Sequence, residues 1–159
     1  MRKISMKLTM ILFIIIFSFG CDIKSNVYSG EYYENDGKYY YVSNNKLITG
    51  VILKHHPSGG LHYELELKNG FKDGKEVHYF TTGNIIDLKE YKKGVLNGRS
   101  IEAHILSQRI IEKGYYLNGK KSGKWELYYD NGKLKEKITY KKNKVVKSTK
   151  FNMNGDIIN

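Results

Sequence analysis

The sequence predicts an all-β protein, an elongated antiparallel meander of tandem β-hairpins forming a single twisted sheet. Three observations predict it. Gly50, Gly74, Gly98 and Gly123 recur at intervals of 24, 24 and 25 residues, and a fixed period in this range marks a repeat architecture. Between turn signals the apolar residues alternate with period two, as in half-buried strands. No segment keeps an apolar stripe at helical spacing over three turns, and the single proline, Pro57, falls in a turn signal.

The start of the chain is a separate element. Arg2, Lys3 and Lys7 accompany an apolar run from Leu8 to Phe17, which Ser18, Phe19, Gly20 and Cys21 follow. A basic start, an apolar core of about ten residues and a small residue before the cut read as a secretory signal over residues 1–20. The run is shorter than the ~20 residues that span a bilayer. Cys21 is the only cysteine, so no disulfide can form within one chain. Gly20-Cys21 behind an apolar core resembles the lipobox of bacterial lipoproteins, whose cysteine is lipidated and becomes the mature N-terminus. The expectation is an exported protein, held by lipid on Cys21 to a membrane of a bacterial cell envelope.

Residues 21–36 read as a polar tether with tyrosines at 28, 32 and 33. The repeat domain is expected over 37–159. Lys38–Val42 is strand-like, Ser43-Asn44-Asn45 is a turn, and a strand resumes from Lys46 to Ile52. Counting each repeat from its glycine, offset nine holds Gly59, Gly83, Ser107 and Gly132. Asp130-Asn131-Gly132 and Thr82-Gly83-Asn84 are hairpin turns of the kind that need positive φ. Offset seventeen holds Leu67, Tyr91, Tyr115 and Tyr140. A second turn then follows at Lys68-Asn69-Gly70, Lys92-Lys93-Gly94, Leu117-Asn118-Gly119 and Lys142-Asn143. Each unit therefore reads strand, turn, strand, turn, and lengthens the sheet by about 10 Å. A partial fifth unit runs from Val145 through Phe151 to Gly155.

In the fourth unit Trp125, Leu127 and Tyr129 share one face of the first strand, and Leu134, Ile138 and Tyr140 share a face of the second. So thin a sheet relies on cross-strand aromatic and β-branched pairs. The 14 tyrosines fit that role, covering the sheet with ring area while the hydroxyl stays wet.

Residues 123–136, Gly-Lys-Trp-Glu-Leu-Tyr-Tyr-Asp-Asn-Gly-Lys-Leu-Lys-Glu, resemble the bacterial variant of the MORN repeat. The likeness covers about 37–159. It is closest at 123–143, and it persists at 74–94 in Tyr79-Phe80 and Gly83, with Glu76 in place of Trp. The resemblance implies a twisted sheet of hairpins. Members of that family are often labelled antitoxin components of toxin–antitoxin systems, and the resemblance brings no catalytic residues with it.

The formal net charge is +11, and residues 1–20 hold three basic residues and no acid, which leaves +8. Of the 27 basic residues only Arg2, Arg99 and Arg109 are arginines. Arginine is the usual reader of bases and phosphates, so nucleic acid is not the expected partner. The five histidines, His55, His56, His62, His78 and His104, are the only candidates for metal. His55 and His62 could face each other across the Pro57–Gly60 turn, but two imidazoles fall short of the three or four ligands zinc needs. Glu126 and Glu136 could meet across a hairpin, and Glu64 and Glu66 share a strand face. Neighbouring lysines make these ordinary cross-strand pairs. No nucleophile–base constellation and no phosphate loop occurs.

The expected function is a non-enzymatic one without cofactor or metal. The repeats would form a surface that binds a protein or an envelope polymer. Trp125, Tyr128, Tyr129 and Tyr140 are the candidate anchors, because aromatic residues give large contact area with few rotors. The alternative from the resemblance is an antitoxin or immunity protein that neutralises a partner toxin.

Overall fold

The computed structural model describes residues 30–158 and the backbone of Val27 and Tyr28. The expected signal segment and Cys21 lie outside the described residues. All of the described regular structure is strand. In chain order the strands are β1 (Val27–Tyr28), β2 (Tyr32–Asn35), β3 (Lys38–Tyr41), β4 (Gly50–His55), β5 (Leu61–Lys68), β6 (Phe71–Tyr79) and β7 (Ile85–Lys92). Then follow β8 (Val95–Ala103), β9 (Ile110–Leu117), β10 (Lys120–Tyr128), β11 (Leu134–Lys141), β12 (Lys144–Phe151) and β13 (Ile157–Ile158).

Strands β4 to β13 form the expected meander, each hydrogen-bonded to its neighbours in sequence, and the sheet stays open. Two features add to the expected single sheet. β1 pairs with β4 in parallel, and β2–β3 form a separate small hairpin. The residues read as tether thus contain strands at their C-terminal end. The signal for β2–β3 is Asp36-Gly37, both at positive φ (51° and 70°).

The same turn type recurs at Asn69-Gly70, Lys93-Gly94, Asn118-Gly119 and Lys142-Asn143, with φ of 50° and 78°, 49° and 80°, 50° and 75°, and 52° and 68°. Two consecutive positive φ values define a type I′ turn, whose twist matches the flanking strands. These turns also tie one repeat to the last. Gly70 N–H donates to the Ile48 carbonyl (2.7 Å), Gly94 to Lys72 (2.8 Å), Gly119 to Leu96 (2.7 Å) and Asn143 to Lys121 (3.0 Å).

The glycines that set the period lie inside strands rather than at turns. Leu65 pairs with Glu76 and Leu67 with Lys72, so residues 73–75 oppose Glu66 alone. Residues 97–99 oppose Glu90 in the same way. Gly74 and Gly98 centre these bulges at φ 122° and 136°, and the Glu66 and Glu90 side chains occupy the space a Cβ would need.

The longer third interval has a local cause. The corresponding loops of the other repeats close with a bond four residues on: His56 N–H to the Gly60 carbonyl, Phe80 to Asn84 and Tyr129 to Lys133. In the third repeat His104 N–H donates to Arg109, five residues on. Positive φ there falls on Gln108 (54°) rather than on Ser107. The extra residue shifts the rest of that repeat by one. Gly50 pairs with Leu67, Gly74 with Tyr91 and Gly123 with Tyr140, but Gly98 pairs with Tyr116. Tyr115, expected in that column, points to the other face.

One face carries a row across the sheet, buried at Ile52, Leu65, Ser100, Trp125 and Ile138 and half-buried at Glu76, Lys89 and Gly114. Strand pairing links Ile52 to Leu65, Leu65 to Glu76, Glu76 to Lys89, Lys89 to Ser100, Ser100 to Gly114 and Trp125 to Ile138. Around Leu65 the core thickens, since Tyr39 and Ile48 from the N-terminal hairpin region pack against Ile52, Tyr63 and Leu67. We call this the row face.

Candidate binding surface

Trp125 is 1% exposed and belongs to the row face. Its ring meets Tyr116 and Tyr140 edge to face, with centroids 5.1 and 6.0 Å away. Its Nε1 donates to the Tyr115 carbonyl at 3.1 Å, and the Lys121 ammonium sits 3.8 Å from the ring centroid. Trp125 and Tyr140 therefore pack the sheet.

Tyr128 lies on the opposite face, as period-two alternation predicts. Its hydroxyl donates to Glu126 at 2.7 Å, and Lys113 Nζ lies 5.2 Å from its ring. Tyr129 is at the hairpin end, pinned by a hydroxyl bond to the Phe151 carbonyl (2.8 Å). The four aromatic candidates do not form one surface.

Two other expected pairings are corrected. Glu126 pairs with Lys137 while Glu136 pairs with Leu127, so the two carboxylates project to opposite faces. A bulge at the end of β4 places His56, not His55, against His62, with ring centroids 4.4 Å apart. His78 lies 6.4 Å from His62. Among the described residues no group of three or more His, Cys, Asp or Glu is arranged to hold a metal ion.

On the row face the polar centre is Glu76. It accepts from Lys72 at 2.7 and 2.8 Å and from the Tyr63 hydroxyl at 3.0 Å. Burial alone would raise this carboxyl. The Lys72 bonds and charge, with the hydroxyls of Tyr63 and Tyr91, outweigh burial and hold it below the usual carboxylate range. Each phenol is pushed up in turn, first by burial and then by the Glu76 charge.

The face opposite the row carries the surface that sequence reasoning missed. Two adjoining hollows share Lys124 and Glu126. One is lined by Arg99, Ile101, Lys113 and Tyr115, the other by Lys137, Thr139, Lys147 and Thr149. Together they make a shallow trough across β8–β12, four strand spacings or roughly 19 Å long. Its charge changes along its length. At the β8 end Arg99 is tied to Glu90 at 2.7 Å. Burial opposes ionisation of Glu90, but the side-chain and backbone hydrogen bonds of Arg99 hold its carboxyl low. Lys113 pairs with Glu126 at 3.1 Å. The Tyr128 hydroxyl, then Lys113, keep the Glu126 carboxyl low. Toward β12, Lys124, Lys137 and Lys147 are exposed and have no ion-pair partner among the described residues. The period-two pattern places these lysines away from the apolar row. Their meeting in one trough depends on register across two hairpins, β10–β11 and β11–β12, which no local signal carries.

No protein-family model and no curated protein matches the chain.

Proposed function

We propose that the protein is a non-enzymatic, exported lipoprotein of a bacterial cell envelope whose hairpin repeats form a binding surface. Its partner is a protein or an envelope polymer. The observation that carries the surface is the trough: three unpaired lysines and two threonines on one face of an open sheet, bordered by Tyr128. Solenoid-like repeats in which each unit contacts only its neighbours commonly serve as extended binding platforms. The location rests on the basic and apolar start that ends at Cys21.

Cell fractionation tests the location. Cys21→Ser should move the protein out of the membrane fraction, and retention with unchanged electrophoretic mobility would sink the lipid anchor. A photo-cross-linker at position 137 tests the surface. It should capture an envelope component that the same probe at buried position 138 does not. A second reading, neutralisation of a partner toxin, draws on the likeness of residues 123–143 to the MORN variant. A toxin gene beside this one favours it.

A further inference from the structure

The excess positive charge is confined to one end of the sheet. Residues 120–159 hold 11 lysines against 4 acids, a net +7, whereas residues 21–119 hold 13 basic residues against 12 acids, a net +1. The basic end is the end that carries the unpaired half of the trough. There Lys124 pairs across the sheet with Thr139 and Thr139 with Lys147, while Lys137 pairs with Thr149. Successive lysines therefore sit one strand over and two residues along from each other. That places their Cα atoms roughly 8 Å apart in a zigzag. Threonine hydroxyls fill the alternate positions. The one acid in the trough, Glu126, is bonded by Lys113 and Tyr128; Lys137 stands opposite it across the hairpin and feels its charge without an ion pair.

We propose that the trough binds a flexible linear phosphodiester polymer without bases, of the poly(glycerol phosphate) kind, with one phosphate at each lysine of the zigzag. The inference rests on the reading that this face is the binding surface. Ammonium and hydroxyl donors without a free carboxylate select an anion. A run of three such steps exceeds what a single phosphate group would use and suits a chain of them. The hollow is open and shallow, so a strand of polymer can lie along it without a rigid shape of its own. A lipid surface would reward apolar side chains protruding beside the lysines, and here threonines stand in those places.

The test uses the purified full-length protein and synthetic poly(glycerol phosphate), with affinity measured over a range of salt. Each phosphate contact on single-stranded nucleic acid contributes about 0.7 to the slope of log K against log salt, and a glycerol phosphate chain, also one charge per repeating unit, should give a slope of the same order. K124Q/K137Q/K147Q should weaken binding at least tenfold and lower that slope by about 2. The same charge change placed away from the trough, K46Q/K54Q/K68Q, should leave affinity within about twofold. Equal loss in both variants overturns the proposal, because net charge and not this site would then be responsible. Should the triple variant melt early, K137Q alone should still lower the slope by about 0.7. Vesicles of phosphatidylglycerol are the rival probe. If they bind as tightly per phosphate, through the same three lysines, the ligand is a lipid surface and the polymer is wrong. If the polymer fails to bind while the cross-linker at position 137 captures a protein, the surface stands and its ligand class falls.

Discussion

The indole of Trp125 lies directly over Gly114, one strand away, in the space that a Cβ on Gly114 would occupy. A rigid bicyclic ring cannot yield as a flexible chain end can. Gly114→Ala should therefore cost about 1–3 kcal/mol through overpacking, and Trp125→Ala about 3–5 kcal/mol through the cavity it leaves. The two should couple. In a Trp125→Leu background, Gly114→Ala should cost much less, and equal costs in both backgrounds by thermal or urea unfolding would show that the ring is not the obstacle.

Glu76 should make the sheet acid-sensitive. Its folded carboxyl is held below the reference value of 4.5. A carboxyl lowered in the fold contributes stability above that value and loses it as pH falls through the folded one. Melting temperature should therefore fall as pH drops below about 4.5. Glu76→Gln should flatten this part of the profile while lowering the plateau near neutral pH. A profile of unchanged slope would assign the acid sensitivity to other groups.

Tyrosine ionisation should track unfolding at high pH. Burial first, and then the hydrogen bond to Glu64, push Tyr79 up to about 12. Tyr39, Tyr63 and Tyr91 are pushed higher still. Raised phenols contribute stability that is complete below the ordinary value of 10.0 and is lost as pH rises through the folded values. Ultraviolet titration should show these four ionising together with loss of the β signal in circular dichroism. Full phenolate absorbance while the sheet persists would contradict the buried network.

The third loop should tolerate shortening. Ile105 and Leu106 are 73% and 87% exposed, and the loop is one residue longer than the others. Deleting Ser107 and changing Gln108 to Gly recreates the shorter loop with glycine at its positive-φ site. Stability should change by less than about 1 kcal/mol, and the Gly98–Tyr116 pairing should persist. A large loss would mean that the His104–Ser107 bonds, 3.2 and 3.3 Å, or the bonds that the Gln108 side chain accepts from Thr82 and Asn84, 2.8 and 3.2 Å, hold the loop in a form the rest requires; Gln108→Gly alone separates the two.

The type I′ turns were legible because Asn-Gly and Lys-Gly pairs meet a backbone demand that few residues satisfy. Strand polarity was legible for the same local reason: alternate residues face alternate sides. Three things were not. The bulges at Gly74 and Gly98 arise from how Glu66 and Glu90 lie against the neighbouring strand, so the period shows the glycines but not why they are needed. One extra loop residue moved Tyr116 into the column assigned to Tyr115. The burial of Trp125 depends on the absence of a side chain at Gly114, eleven residues earlier. The bulges and the burial of Trp125 are relations between strands, and a single strand read alone cannot state them; the extra loop residue shows as the 25-residue interval, which does not say where in the repeat it falls. The trough is likewise a matter of register, since Lys124, Lys137 and Lys147 lie on three different strands.

The chain of turn-to-strand bonds from Gly70–Ile48 to Asn143–Lys121 gives the molecule a grammar of whole units. Each unit attaches through a donor in its own turn and an acceptor in the unit before it, and neither depends on anything further away. An in-frame duplication of about 24 residues could lengthen the sheet while every existing side chain kept its neighbours. Reach, the distance over which the molecule can extend a surface, is therefore a trait that recombination can alter in steps, independently of the residues that decide what the surface holds.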